Sequence, residues 1–307
     1  MPVPENALFA LAAAASWGGG DFSGGMGVKA AGGTTTGALR LVIVAHATSL
    51  TVLTLLCVAT GAAWPHGAAM VWALAAGAAV GVSLTAFYIS LSRGAMGVSA
   101  AVSGVLAAAI PAVVSMATEG APGSLRLAGF AVALAAIWVI AAGDSPENAP
   151  EDKAAGRKTM GLAIVGGLGF GFYFVALRMS NSLGVMEPIA LARAASLVTC
   201  LVLLAVVSWR GRSSPAHPMS ENPGHPIPWL TRAAVGWALG VALLDTGGNL
   251  LLIAATRTGR LDVAAVLASL YTAGTILLAA WRLHERPTKR QMAGMVAALV
   301  AVVMITL

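Results

Sequence analysis

Ten long apolar runs constrain this chain more than any other feature of its sequence. A helix needs roughly 20 mostly apolar residues to cross the hydrocarbon core of a bilayer, whereas a transmembrane β-barrel has alternating segments of about ten residues. The sequence therefore predicts an all-α integral membrane protein with ten transmembrane helices. The candidate spans are residues 7–26, 37–60, 68–91, 97–117, 124–142, 160–179, 188–208, 233–256, 262–282 and 290–307.

Charged residues are too few to cover the surface of a soluble protein. They make up 10% of the 307 residues, and 58% of the residues are hydrophobic, whereas soluble domains carry about 25% charged residues. The net charge of +6 does not indicate nucleic-acid binding, because the positive residues lie beside the apolar spans. Cys57 and Cys200 lie within spans, so neither a disulfide framework nor a metal site is expected.

The distribution of basic residues predicts how the chain is inserted, because such residues concentrate in cytoplasmic loops. Of the 18 Lys and Arg residues, 12 lie in connections after odd-numbered spans and 4 in connections after even-numbered spans. We therefore expect the odd-numbered connections in the cytoplasm and both termini on the extracytoplasmic side of the cytoplasmic (inner) membrane. The opening "MPVPENALFA" has no basic region typical of a signal peptide, so the first span is expected to be retained.

A polar stretch divides the chain near its middle. Residues 144–158 are expected to form a cytoplasmic linker between a first repeat, 1–143, and a second repeat, 159–307, with five spans in each. Because five is odd, the two repeats enter the membrane in opposite senses, as in the inverted repeats of many secondary transporters. The charged residues that match between the halves are Arg93 with Arg257, Glu119 with Glu285, and Arg40 with Arg193, at offsets of 164, 166 and 153.

Three segments resemble the EamA-type transporters of the drug/metabolite transporter (DMT) superfamily. They are "AAVLASLYTAGTILLAAWRLHERPTKRQMAG" (264–294), the opening "ALFALAAAASWGGGDF", and "LLDTGGNLLLIAATRTG", which resembles the family's eighth helix. The resemblance implies a membrane transporter, a role in efflux, and amino acids, other metabolites or drugs as solutes. Thr272 stands where the family often has proline, so we expect a less kinked ninth helix.

Charged groups inside the spans are expected to have partners, because each costs roughly 2.5–3.5 kcal/mol at a helix centre. Helix rise places Asp21 and Arg40 toward the cytoplasm, and Asp245 and Arg193 near or beyond the midplane. We therefore predict an Asp21–Arg40 pair and an Asp245–Arg193 pair. Either they gate the two ends of a central pathway, or they are static pairs between helices. Arg40 is also positioned to extend its side chain to the headgroups.

Other groups in the spans are candidates for substrate binding or coupling. Asn249 shares a helix face with Asp245, and together they are suited to an amine or ammonium substrate. His46 either titrates in proton coupling or, as we prefer, hydrogen-bonds a backbone carbonyl. Asp21 is a candidate proton site. The aromatic candidates for a cavity wall are Trp17, Tyr88 and Tyr271, with helix or lipid packing as the alternative for each.

The motifs point away from an enzyme. "GGGDFSGG" lacks the spacing of a phosphate-binding loop, and the sequence contains no zinc-protease or nucleophile-elbow motif and no ATP-binding motif. We expect no cofactor, and expect a secondary transporter that uses an ion or substrate gradient, with proton coupling as one option. The alternative is a membrane receptor or lipid-handling protein that binds its ligand without moving it. Both a monomer and a dimer are compatible with two halves in one chain.

Overall fold

The computed structural model describes residues 4–63, 65–93, 96–141, 153–212, 229–283 and 288–306. Within these ranges 89% of the residues are helical and there is no β-strand. A short 3-10 turn, Asn181–Leu183, connects α6 to α7. The helices are α1 (Glu5–Ala30), α2 (Thr35–Ala59), α3 (Gly67–Arg93), α4 (Met96–Glu119), α5 (Ser124–Ala141), α6 (Lys153–Met179), α7 (Glu187–Arg212), α8 (Arg232–Thr258), α9 (Leu261–Ala268), α10 (Tyr271–Leu283) and α11 (Lys289–Thr306).

Seven helical segments in the described residues are long and apolar enough to cross a membrane. The chain is therefore a multi-pass membrane protein, as the sequence predicts. A shorter apolar segment, 124–136, lies within α5. The seven are Thr35–Ala59, Gly67–Arg93, Val102–Glu119, Ala155–Met179, Glu187–Arg210, Arg232–Thr258 and Leu261–Arg282.

One helix boundary differs from the expected end of the linker. Helix α6 begins at Lys153, so the last six residues of the expected linker are helical, because Ala, Lys and Arg are strong helix formers. The rest of that linker, 144–152, and Glu285 lie outside the described residues.

The ninth span is interrupted, although the absence of proline at 272 predicts a less kinked helix. Helix α9 ends at Ala268 and α10 starts at Tyr271, although no proline stands at 272. The amide of Leu270 donates to the Leu267 carbonyl and that of Ala273 to the Leu270 carbonyl, which is the tighter 3-10 pattern. The hydroxyl of Ser269 donates to the Val266 carbonyl at 2.7 Å. Local backbone and side-chain hydrogen bonds thus stabilise the interruption without a proline.

Helices far apart in the sequence form the core. Helix α1 runs along α8 and also contacts α9 and α10, while α3 packs on α6 and α7, and α5 packs on α11. Much of α1 is buried, including Trp17, Asp21 and Phe22. The glycine-rich stretch of α1 therefore lies inside the bundle.

Candidate substrate site

The predicted pair of Asp245 and Arg193 is present between α8 and α7. Arg193 Nη2 donates to Asp245 Oδ2 at 2.6 Å, and the Arg193 side chain is fully buried. A charge-assisted hydrogen bond of this kind is among the stronger ones in proteins. The pair therefore links two helices of the second half.

His46 from α2 extends this pair into a network. Its Nδ1 lies 2.7 Å from Ser196 Oγ, and its Nε2 lies 3.1 Å from Arg193 Nη1. An arginine has no acceptor, so Nε2 accepts and Nδ1 carries the proton, which gives a neutral imidazole donating to Ser196. The preferred structural interpretation of His46 fits this geometry, but its partners are side chains rather than the expected backbone carbonyl.

Asn249 completes the partners of Asp245. Its Nδ2 donates to Asp245 Oδ1 at 3.0 Å and to the Asp245 carbonyl, while its Oδ1 accepts from Tyr173 OH at 2.8 Å. Both carboxylate oxygens of Asp245 are thus engaged by this protein's own groups. Asp245 and Asn249 therefore belong to a hydrogen-bonded network between α6, α7 and α8.

The predicted pair of Asp21 and Arg40 is not formed. Arg40 Nη1 donates to the Trp229 carbonyl at 3.0 Å, and its guanidinium lies 5.6 Å from the centre of the Trp229 ring. Asp21 is 8% exposed and has no hydrogen bond or ion pair within the described part of the chain. An arginine near the start of α2 reaches outward more easily than inward, which leaves the buried acid without that partner.

We predict that Arg40→Gln changes the free energy of unfolding by less than about 1 kcal/mol, because exposed cation–π contacts are worth about 0.5–1 kcal/mol. Thermal unfolding in detergent measures this change. Exchanging the two charges, Asp21→Arg with Arg40→Asp, should rescue nothing that either single replacement loses. Rescue by the exchange would re-establish the direct pair.

A small cavity lies beside the unpartnered acid, where helices from both halves of the chain meet. The cavity volume is about 30 Å³, enough for roughly one water molecule. Its walls bring together four of the predicted site residues with Asp21. They include Trp17, Asp21, Phe174, Asp245, Asn249 and Tyr271. Arg193 and His46 contact Asp245 from α7 and α2.

Aromatic rings form much of the cavity wall. Trp17 stacks on Phe174 with ring centres 5.2 Å apart and planes at 9°, and meets Tyr271 edge to face at 6.4 Å. Phe170 and Tyr173 line the same cavity. Phe170 and Phe174 were not among the sequence candidates, yet their spacing with Tyr173, at i, i+3 and i+4, places all three on one helix face.

Two glycines of α1 allow this close packing. A Cβ on Gly18 would lie 2.9 Å from the Tyr271 carbonyl oxygen and 3.0 Å from Gly274 Cα. A Cβ on Gly24 would collide with the ring of Tyr88, the predicted aromatic of α3, which is fully buried. The glycines of "SWGGGDFSGG" therefore bring the backbone of α1 against α10 and make room for Tyr88.

An ionic cluster that the sequence did not predict joins the ends of α4, α6 and α9. Arg260 makes three hydrogen bonds to Asp262, with Nη2 at 2.8 Å from Oδ2, and also donates to the carbonyls of Glu119 and Gly120. Arg178 Nη2 lies 3.5 Å from Glu119 Oε1. The hydrogen bond to Asp262 raises the pKa of Arg260.

Comparisons with known proteins agree with this architecture. The profile of the EamA-like transporter family matches residues 157–307. A solved structure titled "Crystal structure of protein" is similar over 100% of this chain and 99% of its own, with a TM-score of 0.68 and 15% sequence identity. At that identity the likeness shows the fold alone. The chain has no match among curated proteins.

Proposed function

Because the chain belongs to the EamA-like transporter family of the DMT superfamily, we propose that it is a secondary active transporter that moves a small solute across the cytoplasmic membrane by alternating access. One observation carries this proposal. Asp21 is a buried acid without a partner in the described residues, and it lines a cavity between α1, α3, α6, α8 and α10. Ionisable groups inside a membrane protein mark substrate or ion pathways.

The proposed architecture is two inverted repeats of five spans, residues 1–143 and 159–307, in which α9 and α10 together make the ninth span. Two equivalent arginines support it. Arg93, at the end of α3, donates to the Gly33 carbonyl between α1 and α2. Arg257, at the end of α8, donates to the Asn181 carbonyl between α6 and α7. Exchanging the two halves converts the contact of Arg93 into that of Arg257, as the offset of 164 residues between the two arginines predicts.

Helix packing supports the same proposal. Exchanging the halves turns α1 into α6 and α3 into α8, so the packing of α1 on α8 becomes that of α6 on α3. The contacts of α2 with α7 and of α5 with α11 are each converted into themselves. A twofold axis in the membrane plane has this effect, and transporters with inverted repeats bind their solutes near it.

The orientation proposed from the basic residues puts both termini outside. The connections between helices then lie either at the cytoplasmic end or at the outer end, and connections at the same end contact one another. Thr231 donates to the Ala30 carbonyl at the end assigned to the cytoplasm. The ionic cluster of Glu119, Arg178, Arg260 and Asp262 lies at the opposite end.

The transport cycle needs a conformational change and an energy source. A space of about 30 Å³ holds no more than roughly a water or an ammonium group, so the solute enters after helices have moved apart. Opening on the outer side breaks the ionic cluster, which acts in this proposal as the gate at that end. We propose export driven by an ion gradient, with Asp21 as the site of proton coupling.

Counterflow into proteoliposomes tests transport. Vesicles containing the purified chain, preloaded with a metabolite mixture, are placed in a dilute isotope-labelled copy of that mixture. At least one small solute should accumulate inside and then dissipate, as exchange through a carrier requires. Asp21→Asn should abolish the accumulation, while Glu5→Gln, which removes an exposed acid from the same helix, should not.

The alternative, a receptor or lipid-handling protein, gives a different result in the same assay. Such a protein would bind a component of the mixture without accumulation in any gradient. Binding without counterflow would therefore reject the transporter.

A further inference from the structure

We infer that the ligand of the cavity is a monovalent organic ammonium ion without a carboxylate, with its charged nitrogen on Asp21. This inference names the substrate class of the proposed transporter and rests on that proposal for its role in transport. The acid on which it depends differs from the one that sequence spacing favoured.

The two carboxylates of the cavity wall differ in what they have to offer a ligand. Asp245 already receives hydrogen bonds on Oδ2 from Arg193 and on Oδ1 from Asn249. Asp21 has neither an ion pair nor a hydrogen bond in the described ranges, although 92% of its surface is buried. A buried acid without a partner is costly unless it gains a proton or a cation. Asp21 is therefore the anionic group left for a ligand.

The charge balance of the cavity selects a cation. Asp21 and Asp245 are the formally charged residues among the described ones that line it, and the guanidinium of Arg193 compensates Asp245. One negative charge remains, and in the low dielectric of the membrane interior it repels anions. A single positive charge on the ligand neutralises the site.

The same balance disfavours a zwitterionic amino acid. Its carboxylate would need a cationic or strongly donating partner, and Arg193 is fully buried, with its Nη groups already given to Asp245 and His46. Asn249 has both its amide groups engaged. Arg193 Nε and the Tyr271 hydroxyl have no hydrogen-bond partner in the described residues, but Arg193 does not line the cavity, and one neutral hydroxyl compensates a carboxylate poorly beside two acids.

The aromatic wall suits the rest of such a ligand. The faces of Trp17, Phe174 and Tyr271 attract cations through their quadrupoles and provide apolar contacts for a carbon skeleton. The hydroxyl of Tyr271 is buried and has no hydrogen-bond partner among the described residues, which leaves it available to accept an ammonium N–H.

Two matched trios of probes test the charge selectivity. One is phenethylamine, phenylalanine and 3-phenylpropanoate, and the other is pentylamine, norleucine and hexanoate. Within each trio the skeleton is shared and the charge is positive, zwitterionic or negative. Calorimetric binding to the purified full chain in detergent should favour the amine in at least one trio by about tenfold or more over its two partners.

Variants assign the preference to Asp21. Asp21→Asn should weaken binding of the amine by about tenfold or more, and Asp21→Glu should keep the preference for the amine. Glu5→Gln, the exposed control on α1, should bind as the wild type does. The unfolding midpoint of each variant shows that it is folded.

The outcomes separate the ligand class from transport. The inference is wrong if neither amine binds, if an amino acid or acid binds as tightly as its amine, or if Asp21→Asn binds the amine as the wild type does. Amine binding that depends on Asp21 but gives no counterflow supports the ligand class and rejects the transporter. Counterflow of zwitterions or anions without dependence on Asp21 supports transport and overturns the ligand class.

Discussion

Replacing Arg193 with methionine should destabilise the protein by about 3–5 kcal/mol, the usual cost of removing one partner from a buried ion pair. Arg193 is fully buried and gives Asp245 Oδ2 its hydrogen bond at 2.6 Å, so its loss leaves an acid without its cation between α7 and α8. His46 also loses the donor at its Nε2. Thermal or denaturant unfolding in detergent measures the change.

A second replacement identifies the cause. Asp245→Asn in the same molecule removes the unpaired charge, so the double variant should recover much of the stability that Arg193→Met loses. Thr199→Val is the matched control on α7, since Thr199 bonds to a carbonyl of its own helix, and should change stability by less than about 0.5 kcal/mol. A double variant no more stable than Arg193→Met would mean that packing, rather than charge, sets the cost.

Replacing Asp21 with asparagine should have the opposite signature. We expect the midpoint of unfolding to stay the same or rise, because an amide of the same shape takes no charge out of water and no partner in the described residues loses a bond. Transport should fall to the background of empty vesicles, because the cavity then lacks its free acid. Unfolding and counterflow measured on the same preparations check both halves of the prediction.

The sign of the stability change distinguishes the possible roles of Asp21. If the charge of Asp21 held helices together, removing that charge would destabilise the protein, as breaking the pair of Asp245 and Arg193 is expected to do. A loss of more than about 2 kcal/mol in Asp21→Asn would therefore contradict a free acid.

The sequence predicted the level of a residue along its helix better than the direction in which its side chain points around the helix axis. The rise of about 1.5 Å per residue correctly brought Asp245 and Arg193 to one level, and their facing sides followed from the packing of α7 and α8. The same reasoning placed Asp21 and Arg40 at compatible depths, but Arg40 turns to Trp229. That partner precedes α8 and is 189 residues away, so no local spacing indicates it.

The sequence also did not show which polar side chains already have hydrogen-bond partners on neighbouring helices. Asp245 and Asn249 do share a helix face, as their spacing of four predicts, yet Tyr173 and Arg193 reach that face from α6 and α7. Whether an acid is free depends on such contacts between helices. The aromatic face of α6, in contrast, is present in the spacing of Phe170, Tyr173 and Phe174 alone.

The seam where α1 meets α8 and α10 has a mechanical consequence. Interdigitated side chains give packed helices discrete resting positions, whereas at this seam Gly18 lies against Gly274 and Gly20 against the backbone of Asp245. When α1 slides along this seam, backbone moves past backbone at these positions, so few interlocking side chains there oppose the movement. The hydrogen bonds from Ser16 to the Leu244 carbonyl and from Thr275 to the Gly18 carbonyl then hold α1 in place along this seam.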